Sequence, residues 1–319
     1  MDNGMEFRLT ILGSGSAMPV SPRMSSAHVL NVHGRSFLID CGEGAQRSMV
    51  INHIGFSRLD AIFISHIHGD HLFGLFGLLS TLGMEGRTAP LFLYGPNALG
   101  SVVKFFLSFF GEGLPFEIKF TPLVYNSPRN VEEPMLVHST RKLDVYAFPL
   151  DHGLDTFGYL FREKTPPFNV RKEFVERCSL TLTEIGTLKR GEDVIREDGS
   201  VIPASEAAYR PYNPRSYAYV SDTAYLPKVA RWVKGVDLLY HETTYLADKE
   251  DRAAARHHST TLQAARLALE ASPGRLLVGH YSSHCQDVKM YEKECRTIFP
   301  ETYAVSDGDV YDVPLVRLH

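Results

Sequence analysis

The sequence has no unbroken apolar run of about 18 residues, which excludes a membrane-spanning helix. Its four cysteines, Cys41, Cys178, Cys285 and Cys295, are far apart and none belongs to a CxxC pair. That spacing argues against a disulfide framework and against a thiolate zinc site, and it fits buried thiols in a reducing compartment. An excess of positive charge is also missing: 33 Lys and Arg against 37 Asp and Glu leave a net charge of −4. Any contact with nucleic acid must therefore come from a local surface, not from the chain as a whole. There is no internal repeat and no low-complexity tract. The opening segment MDNGMEFRLTILG is too short and too polar for a secretory signal and runs into a strand, so a cytoplasmic protein is expected.

What is present is an ordinary globular composition, 44% hydrophobic and 22% charged over 319 residues. Apolar runs bounded by Gly, Pro and Asn predict strands at residues 7–12, 27–32, 36–40, 61–65 and 91–95, and helices at about 43–52, 72–82 and 97–110. A strand-rich stretch follows at 116–161. The last third alternates again, with strands at 217–221, 238–240 and 276–279 and helices at 226–234, 261–271 and 288–298. Strand–helix alternation in both halves predicts an α/β fold with two packed sheets and helices outside, an αββα four-layer sandwich. Residues 162–215 differ. They hold Pro and Gly turns, few core-forming residues, and Lys164, Arg171, Lys172, Arg177, Lys189, Arg190 and Arg196. We read them as an arm inserted in a single domain spanning 1–319, because long ordered excursions are usually functional.

The fourteen histidines carry the strongest signal. Ser65-His66-Ile67-His68-Gly69-Asp70-His71 follows an apolar strand and precedes an apolar helix. In an extended segment residues i and i+2 point the same way, so His66 and His68 can face one metal. After the turn at Gly69, Asp70 and His71 can reach a second. Imidazole and carboxylate donors suit zinc, and manganese or iron less selectively. Burying such a cluster without partners would be costly. Three further donors fall where strands give out: His152, Asp222 and His280. We assign His66, His68 and His152 to one metal and Asp70, His71 and His280 to the other, with Asp222 bridging. Two metals in such a site polarise a phosphoryl group and activate water at neutral pH. His28, His33, His53, His138 and His257 lack such context and read as structural or surface residues.

SHIHGDH resembles the signature of the metallo-β-lactamase superfamily. Closer features resemble one branch, ribonuclease Z, the endonuclease family that trims tRNA 3′ ends. These are Asp40-Cys41-Gly42-Glu43-Gly44-Ala45-Gln46, Phe157-Gly158-Tyr159, His241-Glu242-Thr243-Thr244-Tyr245 and His258-Ser259-Thr260. The resemblance implies that Asp40 supports a metal-binding histidine without itself being a ligand. It implies a zinc-dependent endoribonuclease with two Zn2+ per subunit, precursor tRNA as partner, a homodimer and no organic cofactor. It gives the arm a meaning too: Gly186-Thr187-Leu188-Lys189-Arg190-Gly191-Glu192-Asp193-Val194 resembles the part that grips tRNA, with Lys189 and Arg190 suited to phosphates. Two departures stand out. Ser179-Leu180-Thr181-Leu182-Thr183-Glu184-Ile185 replaces a Pro- and Gly-rich turn, and His284 stands where the family usually has arginine, which makes a phosphate contact there weaker.

For the reaction, Asp70 is the expected general base towards the attacking water. His258, oriented by Glu242, is the expected proton donor to the leaving 3′-oxygen. Two other readings stay open at this level: a hydrolase of small phosphodiesters or sulfate esters on the same scaffold, and a binding protein using a spent metal site. No ligand position is lost, which weakens the last.

Overall fold

The computed structural model describes residues 5–18, 20, 23–110, 114–125 and 131–318. Part of the opening segment, residues 1–4, and positions 126–130 of the expected strand-rich stretch lie outside them. The strands are β1 (Phe7–Gly13), β2 (Ala27–Val32), β3 (Arg35–Ile39), β4 (Leu59–Phe63), β5 (Leu91–Pro96), β6 (Ile118–Leu123), β7 (Met135–Ser139), β8 (Leu143–Asp151) and β9 (Asp155–Glu163). Then come β10 (Asn169–Val170), β11 (Val194–Ile195), β12 (Val201–Ile202) and β13 (Ala208–Tyr209). The last are β14 (Ser216–Val220), β15 (Leu238–Glu242), β16 (Arg275–Gly279), β17 (Thr302–Ala304) and β18 (Val310–Asp312).

Two seven-stranded sheets carry the fold, in the orders β18-β1-β2-β3-β4-β5-β6 and β17-β16-β15-β14-β9-β8-β7. Both are mixed. β3, β4, β5 and β6 run parallel, as do β14, β15, β16 and β17, while the remaining registered pairs are antiparallel. The two-residue period of a strand sorts the core into layers. In β4, Ala61 and Phe63 pack between the sheets with Phe37, Tyr159, Phe161 and Tyr217. Ile62, from the opposite face of β4, packs with Leu38 and Leu93 under the helices, against Met49, Leu75, Leu78 and Leu99. The second sheet repeats this: Ala218, Val220, Leu239 and Val278 pack against Trp232, Ala265, Ala268 and Cys295. The result is the αββα order expected from the alternation.

Several boundaries differ from expectation. The helix predicted at 72–82 begins earlier and is built as two, Gly69–Leu72 and Gly74–Met84, meeting at Phe73. The helix predicted at 226–234 shrinks to Val229–Trp232, held by Val229 and Trp232 in the core. Helix Glu250–Ala255 and strands β17 and β18 carried too few apolar residues to be seen. Two of the cysteines are not buried: Cys178 and Cys285 are partly exposed, Cys41 and Cys295 fully covered, and all four are free.

Two compact units are distinguished. One is Met1–Arg162 with Ser216–Val313; the other is Glu163–Arg215 with the terminal Pro314–His319. The second unit has more core than its sequence suggests. Phe174, Leu180, Leu188, Val194, Ile202 and Ala207 form its own apolar cluster. Thr181 caps helix Leu182–Lys189 in a reciprocal capping box with Glu184, so the segment lacking the Pro- and Gly-rich turn is a helix start. The terminal segment joins the unit through Leu318 N–H donating to Pro211 O, 3.1 Å.

Candidate metal centre

Each donor that the sequence singles out lies just past or at the end of a strand of the first unit. His66 follows β4, His152 follows β8, Asp222 follows β14 and His280 follows β16, while Glu242 closes β15. Parallel strands ending together bring these positions to one edge, the usual place for a site in such sheets. Two local devices complete the frame. The loop after β3 is stitched to the histidine motif by Cys41 N–H to His71 O (2.8 Å) and Gly74 N–H to Cys41 O (2.9 Å). A side chain at Gly74 would meet Gly42 O at 2.2 Å, so only glycine permits this approach. Asp40 and His280 adopt left-handed backbone angles, φ 55° and 60°. Such strain costs about 1–3 kcal/mol per residue and is characteristic of functional sites.

The ring nitrogens divide into those held by the protein and those turned to a common centre. His66 Nδ1 lies 2.9 Å from Ser65 Oγ, His71 Nδ1 2.7 Å from Asp40, His152 Nδ1 2.8 Å from the His257 carbonyl and His280 Nδ1 3.0 Å from Thr244 Oγ1. Their Nε2 atoms are left for the centre. There, His66 Nε2 and His152 Nε2 lie 3.0 and 3.3 Å from His68 Nδ1. His71 Nε2 and His280 Nε2 are 3.1 Å apart, and Asp70 Oδ2 stands 3.6 and 3.5 Å from them. Asp222 reaches both groups: Oδ2 is 3.8 and 3.5 Å from His66 and His152, and Oδ1 is 3.6 Å from His71.

This arrangement fits a divalent metal. His66-His68-His152 and Asp70-His71-His280 each place one donor atom per residue within 4.8 Å of the others. Asp222 Oδ1 is buried without a hydrogen-bond partner, and leaving such an oxygen unmatched is costly. Burial, and then the neighbouring His71, push His66 far below its ordinary pKa, so it is neutral, as a metal ligand must be. At His71 burial acts in the same direction, but Asp70, Asp222 and Asp40 outweigh it and raise the pKa to about 10. Positive charge is stabilised at this point.

Beside the centre lies the Glu242–His258 pair. Glu242 is wholly buried and accepts from the N–H groups of Thr223, Thr244 and Ser259 and from Thr244 Oγ1. His258 Nδ1 is 3.0 Å from Glu242 Oε1. Burial lowers the His258 pKa, but the Glu242 charge and hydrogen bond win and raise it to about 9. His258, His68, Asp70, His152, Asp222 and His280 line a cavity of about 650 Å3.

His284, exposed, lines the same cavity, while Lys189 and Arg190 belong to the second unit. Arg190 is not a free cation: its Nη2 lies 2.8 Å from Glu192. Sequence reasoning missed the groups that orient the donors. Thr244 serves Glu242, His258 and His280 at once, and its place beside Glu242 was the available signal. Tyr219, which donates to Asp40 at 2.7 Å, gave none. His257, read as a structural or surface residue, is exposed as a side chain, and its backbone carbonyl fixes His152.

Solved structures with this fold include the metallo-β-lactamase fold protein YhfI from Bacillus subtilis, with TM-score 0.66 and 19% identity over 97% of this chain and 100% of that one. Human tRNase Z, short form, aligns with TM-score 0.70 and 24% identity over 96% and 99%. These likenesses define the fold as that of the metallo-β-lactamase type, and the donor set is one able to hold metal. The family model described as Anti-Pycsar protein Apyc1 matches residues 7–102, the part that carries SHIHGDH. A ribonuclease Z of Bacteroides thetaiotaomicron is 40% identical over 93% of this chain and 92% of its own; the chain belongs to the ribonuclease Z family.

Proposed function

We propose that this protein is a metal-dependent endonuclease that removes the 3′ trailer of precursor tRNA, leaving a 3′-hydroxyl on the tRNA and a 5′-phosphate on the trailer. The observation that carries the reading is the Glu242–His258 pair beside seven converging metal donors, in a chain of the ribonuclease Z family. On this reading His66, His68 and His152 hold one metal, Asp70, His71 and His280 a second, and Asp222 spans both. Two Zn2+ per subunit are proposed, with Mn2+ or Fe2+ as substitutes. Bound metals stabilise charge on phosphoryl oxygens and make water acidic enough to react at neutral pH.

The chain's own groups do the rest. Asp70 accepts the Ala17 N–H at 2.6 Å. Burial raises its pKa, but His71 and His280 outweigh that and hold it well below the usual carboxylate range. Such a carboxylate is a weak base, so its part is to orient the attacking water more than to keep a proton. His258, protonated and steered by Glu242, gives its proton to the departing 3′-oxygen.

The residue 162–215 arm is proposed to grip tRNA. Exposed Arg177 and Arg210 stand over the rings of buried Phe174 (4.3 Å) and half-buried Phe168 (4.7 Å), cations suited to RNA phosphates. A homodimer in the cytoplasm belongs to the same proposal. No helix among the described residues is long and apolar enough to cross a membrane.

The test is incubation with a precursor tRNA carrying a 3′ trailer, with zinc or manganese and with chelator. Cleavage after the discriminator base, lost on chelation, is expected. Turnover of small model diesters alone would replace this reading with that of a small-ester hydrolase.

A further inference from the structure

Among the described residues, the cavity at the metal centre is lined by two arginines and no lysine. They are Arg252, in helix Glu250–Ala255, and Arg256, the residue that caps its C-terminal end. Both are exposed. Among the described residues neither pairs with a carboxylate, in contrast to Arg190, which is taken by Glu192. Arg252 instead lies 5.6 Å over the ring of Tyr245, itself a lining residue. Buried Ala253 anchors the helix between them. Glu43 and Phe73 add an acidic and an aromatic group to the lining. Phe73 is 66% exposed. Arg252 and Arg256 are the permanently charged cations of this lining, the groups best suited to phosphates.

The position of His258 says which phosphates these are. It follows Arg256 by two residues, and with Nδ1 committed to Glu242 it has Nε2 for the reaction. In the cleavage the bond from phosphorus to the ribose 3′-oxygen breaks, a bond from phosphorus to the water oxygen forms, and the proton of His258 goes to the departing 3′-oxygen. The nucleotide bearing that oxygen is the one on the 5′ side of the break, and an in-line displacement puts the attacking water opposite it. The helix that precedes His258 is thus on the leaving-group side.

We infer that Arg252 and Arg256 form a clamp for the RNA backbone on the 5′ side of the scissile bond, holding the phosphates that stay with the mature tRNA. This rests on the endonuclease reading above. The clamp fixes the polarity in which the strand lies across the site, while exposed Phe73 offers a base a ring to stack on.

The experiment compares wild type with R252Q and R256Q on a precursor tRNA over a range of salt. The loss is expected in KM more than in kcat, roughly tenfold or more per variant, as for a lost charge-assisted hydrogen bond. The slope of log affinity against log salt should become shallower by about 0.7 for each arginine removed. A second set of substrates carries an uncharged methylphosphonate either just 5′ or just 3′ of the scissile phosphate. The 5′ linkage should weaken wild type as the substitutions do and add nothing to them, and the 3′ linkage should add its full effect. The opposite pattern, or an unchanged KM and salt slope in variants of a wild type that cleaves normally, overturns the clamp alone. A wild type that cleaves no precursor overturns the endonuclease reading itself.

Discussion

Asp40 Oδ2 lies 2.7 Å from His71 Nδ1, and the same oxygen takes the hydroxyl of Tyr219 at 2.7 Å. Oδ1 accepts the Ser65 N–H, and Ser65 Oγ donates to Oδ2 at 2.8 Å. All four groups are buried. A ring held this way presents one tautomer and one orientation to the metal.

The expected outcome of Asp40→Asn is a 10–100-fold fall in metal affinity, the usual range for such partners. An amide at position 40 would also set an N–H against donors. Tyr219→Phe removes one of the four bonds and should weaken metal binding by less, about tenfold at most. Chelator competition measures both. Equal affinity in Asp40→Asn and wild type would separate Asp40 from the metal centre.

These two residues also mark what could be read without coordinates. Asp40 was legible because DCGEGAQ is a local pattern, and the metal donors were legible because short motifs end apolar strands. Tyr219 reads as one more aromatic in SYAYV; only the pairing of β14 with β9 and β15 turns it towards Asp40. The same holds for Thr244, for the His257 carbonyl and for β18, whose strand partner β1 lies at the other end of the chain, as the pairing of Arg8 with Asp312 shows. Layer order followed from alternation, but the core of the second unit did not. Its apolar residues are spread singly over short elements, where periodicity has nothing to count.

His258→Ala should slow precursor cleavage about 10²–10⁴-fold while metal content holds, since the imidazole acts on the leaving oxygen. The pH profile gives the sign. The acid form is the active one, and burial, which lowers its pKa, is outweighed by Glu242, which raises it to about 9. Activity should hold up to that region and fall above it. Glu242→Gln should move the fall towards the ordinary histidine range. A limb that stays in place in Glu242→Gln, or metal lost as far as activity in His258→Ala, contradicts the donor role.

Asp222→Ala tests the shared ligand. Its two oxygens stand on opposite sides, Oδ2 towards His152 and Oδ1 towards His71. Loss of metal at both positions is expected, read by elemental analysis after dialysis against trace metal. Retention of two metals per chain would overturn the bridging assignment.

His28 tests stability rather than catalysis. It is fully buried, with Nδ1 2.8 Å from the Tyr217 hydroxyl and the rings of Tyr219 and Tyr240 at 5.0 and 4.4 Å. Burial, followed by repulsion from His71, lowers its pKa to about 3. An unfolded chain takes up this proton near pH 6.5, and the folded one does not until far lower. Stability from this residue is therefore complete above pH 6.5 and declines as pH falls towards 3, at up to about 1.4 kcal/mol per pH unit. His28→Gln should be less stable at pH 7, because it loses packing among the tyrosines. Its urea midpoint should also fall less steeply between pH 7 and 5 than that of wild type. Parallel slopes for the two proteins would mean that the acid sensitivity arises elsewhere.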